Sequence, residues 1–171
     1  MSTRDVRLTE SRRSGGTGSA GAGAGAVTTE AIRKTVLVDF APAEAFELFT
    51  TRVSSWWPTE THSYAHDKVT DVVFEPRVGG LLYEVTADGT AEWARITAWE
   101  PPHRLAMEWL IGKVSGTEIE VRFSPEGPGS RVELEHRGWE RVPDATAEYQ
   151  GYSRGWDAVL APYAETASKK A

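Results

Sequence analysis

The sequence predicts an α+β domain in which a curved antiparallel sheet of about seven strands grips one long C-terminal helix. Three observations predict it. Between Val69 and His136, short β-branched and aromatic runs are broken repeatedly by Gly and Pro, the punctuation of a meander and not of alternating strands and helices. Several of those runs are apolar only at alternate residues, so the sheet has one covered face and one wet face. From Asp144 onward Tyr149, Tyr152, Trp156, Val159 or Leu160, and Tyr163 fall three or four apart, which is helical spacing.

Ala31–Asp39, rich in β-branched residues, reads as the first strand. Pro42 then opens a short helix, where its missing N–H costs nothing, and Phe46 and Phe49 share a face. Val53–Pro58 carries Trp56-Trp57-Pro58, and a polar stretch runs on to Lys68. The remaining strands are expected over Val69–Glu75, Leu81–Thr86, Thr90–Glu100, His103–Ile111, Thr117–Ser124 and Arg131–His136, with a hairpin turn at Asp88-Gly89. Leu105, Met107 and Trp109 share the covered face, as do Ile119, Val121 and Phe123, and Val132, Leu134 and His136. Glu118, Glu120, Glu133 and Glu135 alternate with them and read as a solvated outer face rather than as catalytic pairs. The C-terminal helix holds Gly151 and Gly155, each unfavourable by about 1 kcal/mol relative to Ala. Pro162 should kink it near its end.

Composition narrows the function classes. The chain has 171 residues, 40% of them hydrophobic and 26% charged, which is the size and balance of one globular domain. It has no Cys, so thiol nucleophiles, disulfides and Cys-ligated metals are excluded. The net charge is −6; residues 1–14 contribute +2, which leaves −8 on the rest, a charge that repels nucleic acid. No apolar run is long enough for membrane insertion, and the N-terminus lacks a signal-peptide apolar core, so a cytoplasmic protein is expected. Residues 1–27 read as a flexible Gly/Ala/Ser-rich tail, with the folded domain over 28–171. Gly16-Thr17-Gly18-Ser19-Ala20-Gly21 matches a dinucleotide fingerprint in letters only, because no strand precedes it and no helix follows.

The order of motifs over residues 31–166 resembles the SRPBCC superfamily of START-like or Bet v-like helix-grip proteins. The residues that carry the resemblance are Ala41-Pro-Ala-Glu-Ala-Phe46, Trp56-Trp57-Pro58, Gly79-Gly80-Leu-Leu-Tyr-Glu84 and Trp93 through Trp99-Glu-Pro101. They continue with Arg104-Leu105 through Trp109, Glu133-Leu-Glu-His136 with Gly138-Trp139, and Tyr152 with Gly155-Trp156. The chain is most similar to the branch named for the C-terminal domain of the heat-shock-protein-ninety ATPase activator, to which polyketide cyclase-like and self-resistance proteins are related. The resemblance implies an internal, mostly apolar cavity between sheet and helix. It implies no reaction, because these scaffolds host carriers, cyclases, hydrolases and co-chaperones.

The expected function is therefore binding of a small apolar or aromatic ligand, by a monomer or homodimer, without cofactor or metal. Trp93, Met107, Trp109, Phe123, His136, Tyr152 and Trp156 are the expected ligand-binding residues. An alternative is a cofactor-independent cyclase, dehydratase or hydrolase, with Glu84 and His136 as candidate acid–base groups. Glu84 is buried if it shares a face with Leu82. A neighbouring Arg95 on that face would make it a structural ion pair. His136 is either a ligand contact or a core histidine tied to a backbone group or a Trp. His62 and His66, four apart, read as a polar loop or flap over the cavity mouth more than as metal ligands, since the Glu of H-E-x-x-H is absent. A third reading, a co-chaperone-like interaction module, normally involves a large extra N-terminal domain where this chain has about 27 expected tail residues.

Overall fold

The computed structural model describes residues 30–168, so the expected tail and its glycine pattern lie outside the described residues. The seven strands are β1 (Ile32–Val38), β2 (Asp71–Phe74), β3 (Leu81–Thr86), β4 (Gly89–Glu100), β5 (Arg104–Trp109), β6 (Glu118–Glu126) and β7 (Gly129–Arg137). The helices are α1 (Pro42–Phe49) and α2 (Thr146–Thr166), and four short 3-10 turns join them to the strands. All strand pairs are antiparallel, in the order β1-β7-β6-β5-β4-β3-β2.

The order follows from the chain's punctuation. Tight turns keep β2 to β7 in sequence across the sheet. The first connection is long because α1 and the segment over 50–70 cross the covered face before β2 begins. β1 therefore closes the far edge beside β7. Gly129, the first residue of β7, sits at that junction. A Cβ there would stand 2.0 Å from the Val38 carbonyl oxygen, so only glycine fits. At Gly138, which follows β7, φ is +96° and the chain turns toward α2 in a conformation that favours glycine.

The strand β4 departs from plain alternation. Its register slips against β3 at Leu82/Tyr83 and against β5 between Ile96 and Ala98. The first slip leaves Trp93 without a partner in β3 and turns both Trp93 and Ala94 inward. The covered face is then sealed by α1, by Trp56 and Trp57, and by Tyr152, Trp156, Val159, Leu160 and Tyr163 of α2. Helix α2 continues past Pro162 to Thr166. Its end is tied to α1 by Tyr163, whose hydroxyl donates to the Ala45 carbonyl at 2.8 Å.

The wet face holds one correction. Glu118, Glu133 and Glu135 are at least partly exposed as expected, but Glu120 is 5% exposed. It lies between Arg104 of β5, Arg122 of its own strand and Arg137 of β7. The stems of these side chains cover it while their guanidinium groups bind it. Burial pushes the Glu120 carboxyl up, but hydrogen bonds from Arg122, Arg137 and Arg104 outweigh that effect and hold it below the usual range.

Candidate functional site

Alternation on β3 places Leu82 and Glu84 on the covered face. Glu84 is 1% exposed, and three N–H groups converge on it. The indole of Trp93 and the backbone of Tyr64 each donate to Oε1 at 2.7 Å, and the backbone of Ala65 donates to Oε2 at 2.9 Å. Three donors on an acceptor-only group make this carboxylate a latch. It fastens residues 59–70, a strap without a regular helix or strand of α or β type, onto β3, beside the edge strand β2. Arg95 is exposed on the other face, so the buried Glu84–Arg95 pair considered from sequence does not form.

The strap has further ties. The Trp57 indole donates to the His62 carbonyl at 2.7 Å. Ser63 Oγ donates to the Thr59 carbonyl and accepts from the His66 backbone N–H. The two histidines do not point their Nδ1 atoms at a shared centre: His66 Nδ1 faces the Glu60 carbonyl, and His62 Nδ1 faces Thr61.

Behind the strap the interior is a continuous aromatic array. Trp57 meets Trp93 at 4.9 Å and Trp156 at 6.2 Å between ring centroids. Trp156 meets Trp109 at 5.9 Å, and Trp109 meets Tyr152 at 6.4 Å. Phe123 packs with Phe46 and Phe49 of α1, and Met107 is buried beside the array on β5. Every expected ligand-binding residue is thus on the covered face, and each is at most 3% exposed. The rings contact one another across the region expected to hold a cavity, so a ligand there must part them or displace the strap. An open cleft on the surface lies elsewhere, on the outer face beside Arg33, Lys34, Glu120, Arg122, Glu133 and Glu135, where charged walls offer little to an apolar ring.

His136 lies at the far end of the array. Its Nδ1 accepts from the Trp156 indole at 3.1 Å, and its Nε2 is 2.8 Å from Thr117 Oγ1. An indole can only donate, so Nδ1 carries the lone pair and Nε2 the proton. Thr117 accepts that proton and donates its own to the Val114 carbonyl at 2.8 Å. Desolvation alone lowers the pKa of His136 to about 3, which keeps the ring neutral. Both nitrogens are occupied, so neither can serve as a proton donor or acceptor for another group unless one of these bonds breaks.

Sequence reasoning missed Trp57 as a wall of the site and Thr117 as the partner of His136. It placed His62 in a polar loop or flap over the cavity mouth and did not single it out as a site residue. The doublet Trp56-Trp57 before a polar stretch was the available signal for the first; nothing in the sequence marked the second, which depends on strand register.

A curved sheet wrapped around a long helix, with an aromatic interior beneath a strap, defines a helix-grip protein. The chain belongs to the family of Activator of Hsp90 ATPase homolog 1-like proteins, whose model matches residues 39–167. Among solved structures, it is similar to the anthrahydroquino-γ-pyrone synthase Txn09, at 37% identity over 81% of this chain and 97% of that one, with a TM-score of 0.58. The self-sacrificing resistance protein CalC of Micromonospora echinospora shares the fold at 22% identity, covering 81% of this chain and 94% of that one, with a TM-score of 0.61. So does the Aha1 dimer of Colwellia psychrerythraea, at 16% identity, covering 81% and 96%, with a TM-score of 0.59. No curated protein matches the chain significantly. Among the described residues, no helix is long and apolar enough to cross a membrane.

Proposed function

We propose that this protein binds a fused-ring aromatic, polyketide-type molecule between the sheet and α2 and closes an oxygen-containing ring on it. The observation that carries the reading is the 37% identity across 97% of a γ-pyrone synthase. The aromatic array supports it, because stacked and edge-on indoles offer a flat ligand both apolar area and ring–ring contacts. Such a ring closure needs no redox partner. A ligand hydroxyl adds to a carbonyl carbon of its own side chain, and the hydroxyl proton ends on the carbonyl oxygen. Loss of that new hydroxyl with a neighbouring C–H proton, as water, leaves the ring double bond. The protein's part is to fold the side chain back and to accept and return a proton.

The test is turnover of an anthrahydroquinone that carries a phenolic hydroxyl beside an open diketone side chain. Mass spectrometry should show a product lighter by one water, formed faster with protein than in buffer. Equal rates with and without protein would remove the ring-closing reading.

A further inference from the structure

His62 Nε2 is the one buried side-chain nitrogen or oxygen among the described residues that has no hydrogen-bond partner. The residue is 6% exposed, in a strap that is otherwise fastened by named bonds on both sides. Native proteins pair buried polar atoms, and the exceptions point to function, a bound water or a ligand. His62 also belongs to the segment that covers the Trp57–Trp93 end of the array. Its carbonyl holds the Trp57 indole, its strap neighbours Tyr64 and Ala65 hold Glu84, and Glu84 holds the Trp93 indole. Trp57 and Trp93 are the two rings in contact at that end of the array.

We propose that His62 Nε2 is the ligand-contacting group of the site and accepts a hydrogen bond from a hydroxyl on the aromatic ligand. This rests on the binding reading above and assigns its polar anchor. The geometry on the other side of the ring fits an acceptor. Thr61 Oγ1 lies 2.6 Å from Nδ1 and 3.3 Å from the Pro58 carbonyl. A hydroxyl has one hydrogen. Given to Pro58, it leaves the oxygen to accept from Nδ1–H, and Nε2 then carries the lone pair. Burial, followed by the charge of His66, lowers the pKa of His62, which keeps that lone pair available. His136 has both nitrogens engaged and Glu84 has three donors, whereas His62 keeps one nitrogen without a partner.

The experiment compares 2-hydroxyanthraquinone with 2-methylanthraquinone, which matches its shape but cannot donate. Binding is read by quenching of tryptophan emission, in buffer acidic enough to keep the probe hydroxyl protonated. Wild-type protein should prefer the hydroxyl probe by about tenfold, the scale of one net hydrogen bond. His62→Phe should bind both alike, and His62→Gln should recover part of the preference. If His62→Phe does not fold, the wild-type Nε2 resonance decides: its nitrogen-15 shift should move with the hydroxyl probe and not with the methyl probe. Equal binding of both probes by wild type, or a preference that survives His62→Phe, overturns the assignment and leaves interior binding standing. Binding of neither probe overturns both.

Discussion

Glu84→Ala should cost about 3–5 kcal/mol of stability, measured as a shift in the urea midpoint without a change in slope. The Trp93 indole, 1% exposed, loses its acceptor and has no water to replace it. The Tyr64 and Ala65 N–H groups lose theirs as well, although both residues are half-buried and can recover water when the strap lifts. Glu84→Gln should be nearly as damaging, because an amide turns an NH₂ group toward one of three donors. Backbone amides over 62–68 should then exchange hydrogen much faster than in wild type, while α2 changes little. A loss below about 1 kcal/mol, or exchange accelerated uniformly, would mean that the carboxylate is not the latch.

Stability should also fall steeply as the solution is acidified from near pH 6.5 toward pH 3. His136 is neutral when folded, with a pKa lowered to about 3 by burial, whereas the unfolded imidazole titrates near its ordinary value of 6.5. Its folded pKa is depressed, so the unfolded state takes up the proton first. The stabilising contribution is full above the unfolded value and is lost on descent to the folded one. The slope is about 1.4 kcal/mol per pH unit, or about 4–5 kcal/mol across the window. The groups around the ring, Thr117, Trp109, Trp139, Tyr152 and Trp156, carry no charge that would offset it. His62 adds a second slope of the same sign, because its pKa is lowered too. Glu120, whose pKa is held below the usual carboxylate range, contributes only at lower pH. His136→Gln is less stable throughout but should lose one proton's worth of slope between pH 6.5 and 4.5. Identical slopes in the two proteins would contradict a neutral, buried His136.

Much of this was legible in the sequence, and the failures have physical causes. Glycine and proline punctuation located all seven strands to within a few residues, since a turn residue ends a strand wherever it lies in the fold. Period-two reasoning put Met107, Trp109, Phe123 and His136 on the covered face. Trp93 was expected in the interior as well, but the inward turn of its neighbour Ala94 was not readable, because a bulge turns two successive side chains inward and leaves no mark on the pattern. Glu120 defeated period-two reasoning differently. Its parity is outward, but Arg122 of its own strand and Arg104 and Arg137 of the two adjacent strands close over it, and which arginines meet depends on register. The latch was half visible. Parity offered Glu84 as a buried carboxylate, yet its partners lie 19 and 20 residues upstream in a segment without periodicity. His62 was the least legible, since its isolation is a property of everything packed around it.

Hydrogen exchange with and without 2-hydroxyanthraquinone tests most directly whether the ligand lies between sheet and helix. The account predicts slower exchange in the strap over 59–70, in β5 and along the face of α2 that carries Tyr152 and Trp156, with the edge strand β1 unchanged. Protection confined to β1, β6 and β7, beside the charged outer cleft, would contradict an interior site.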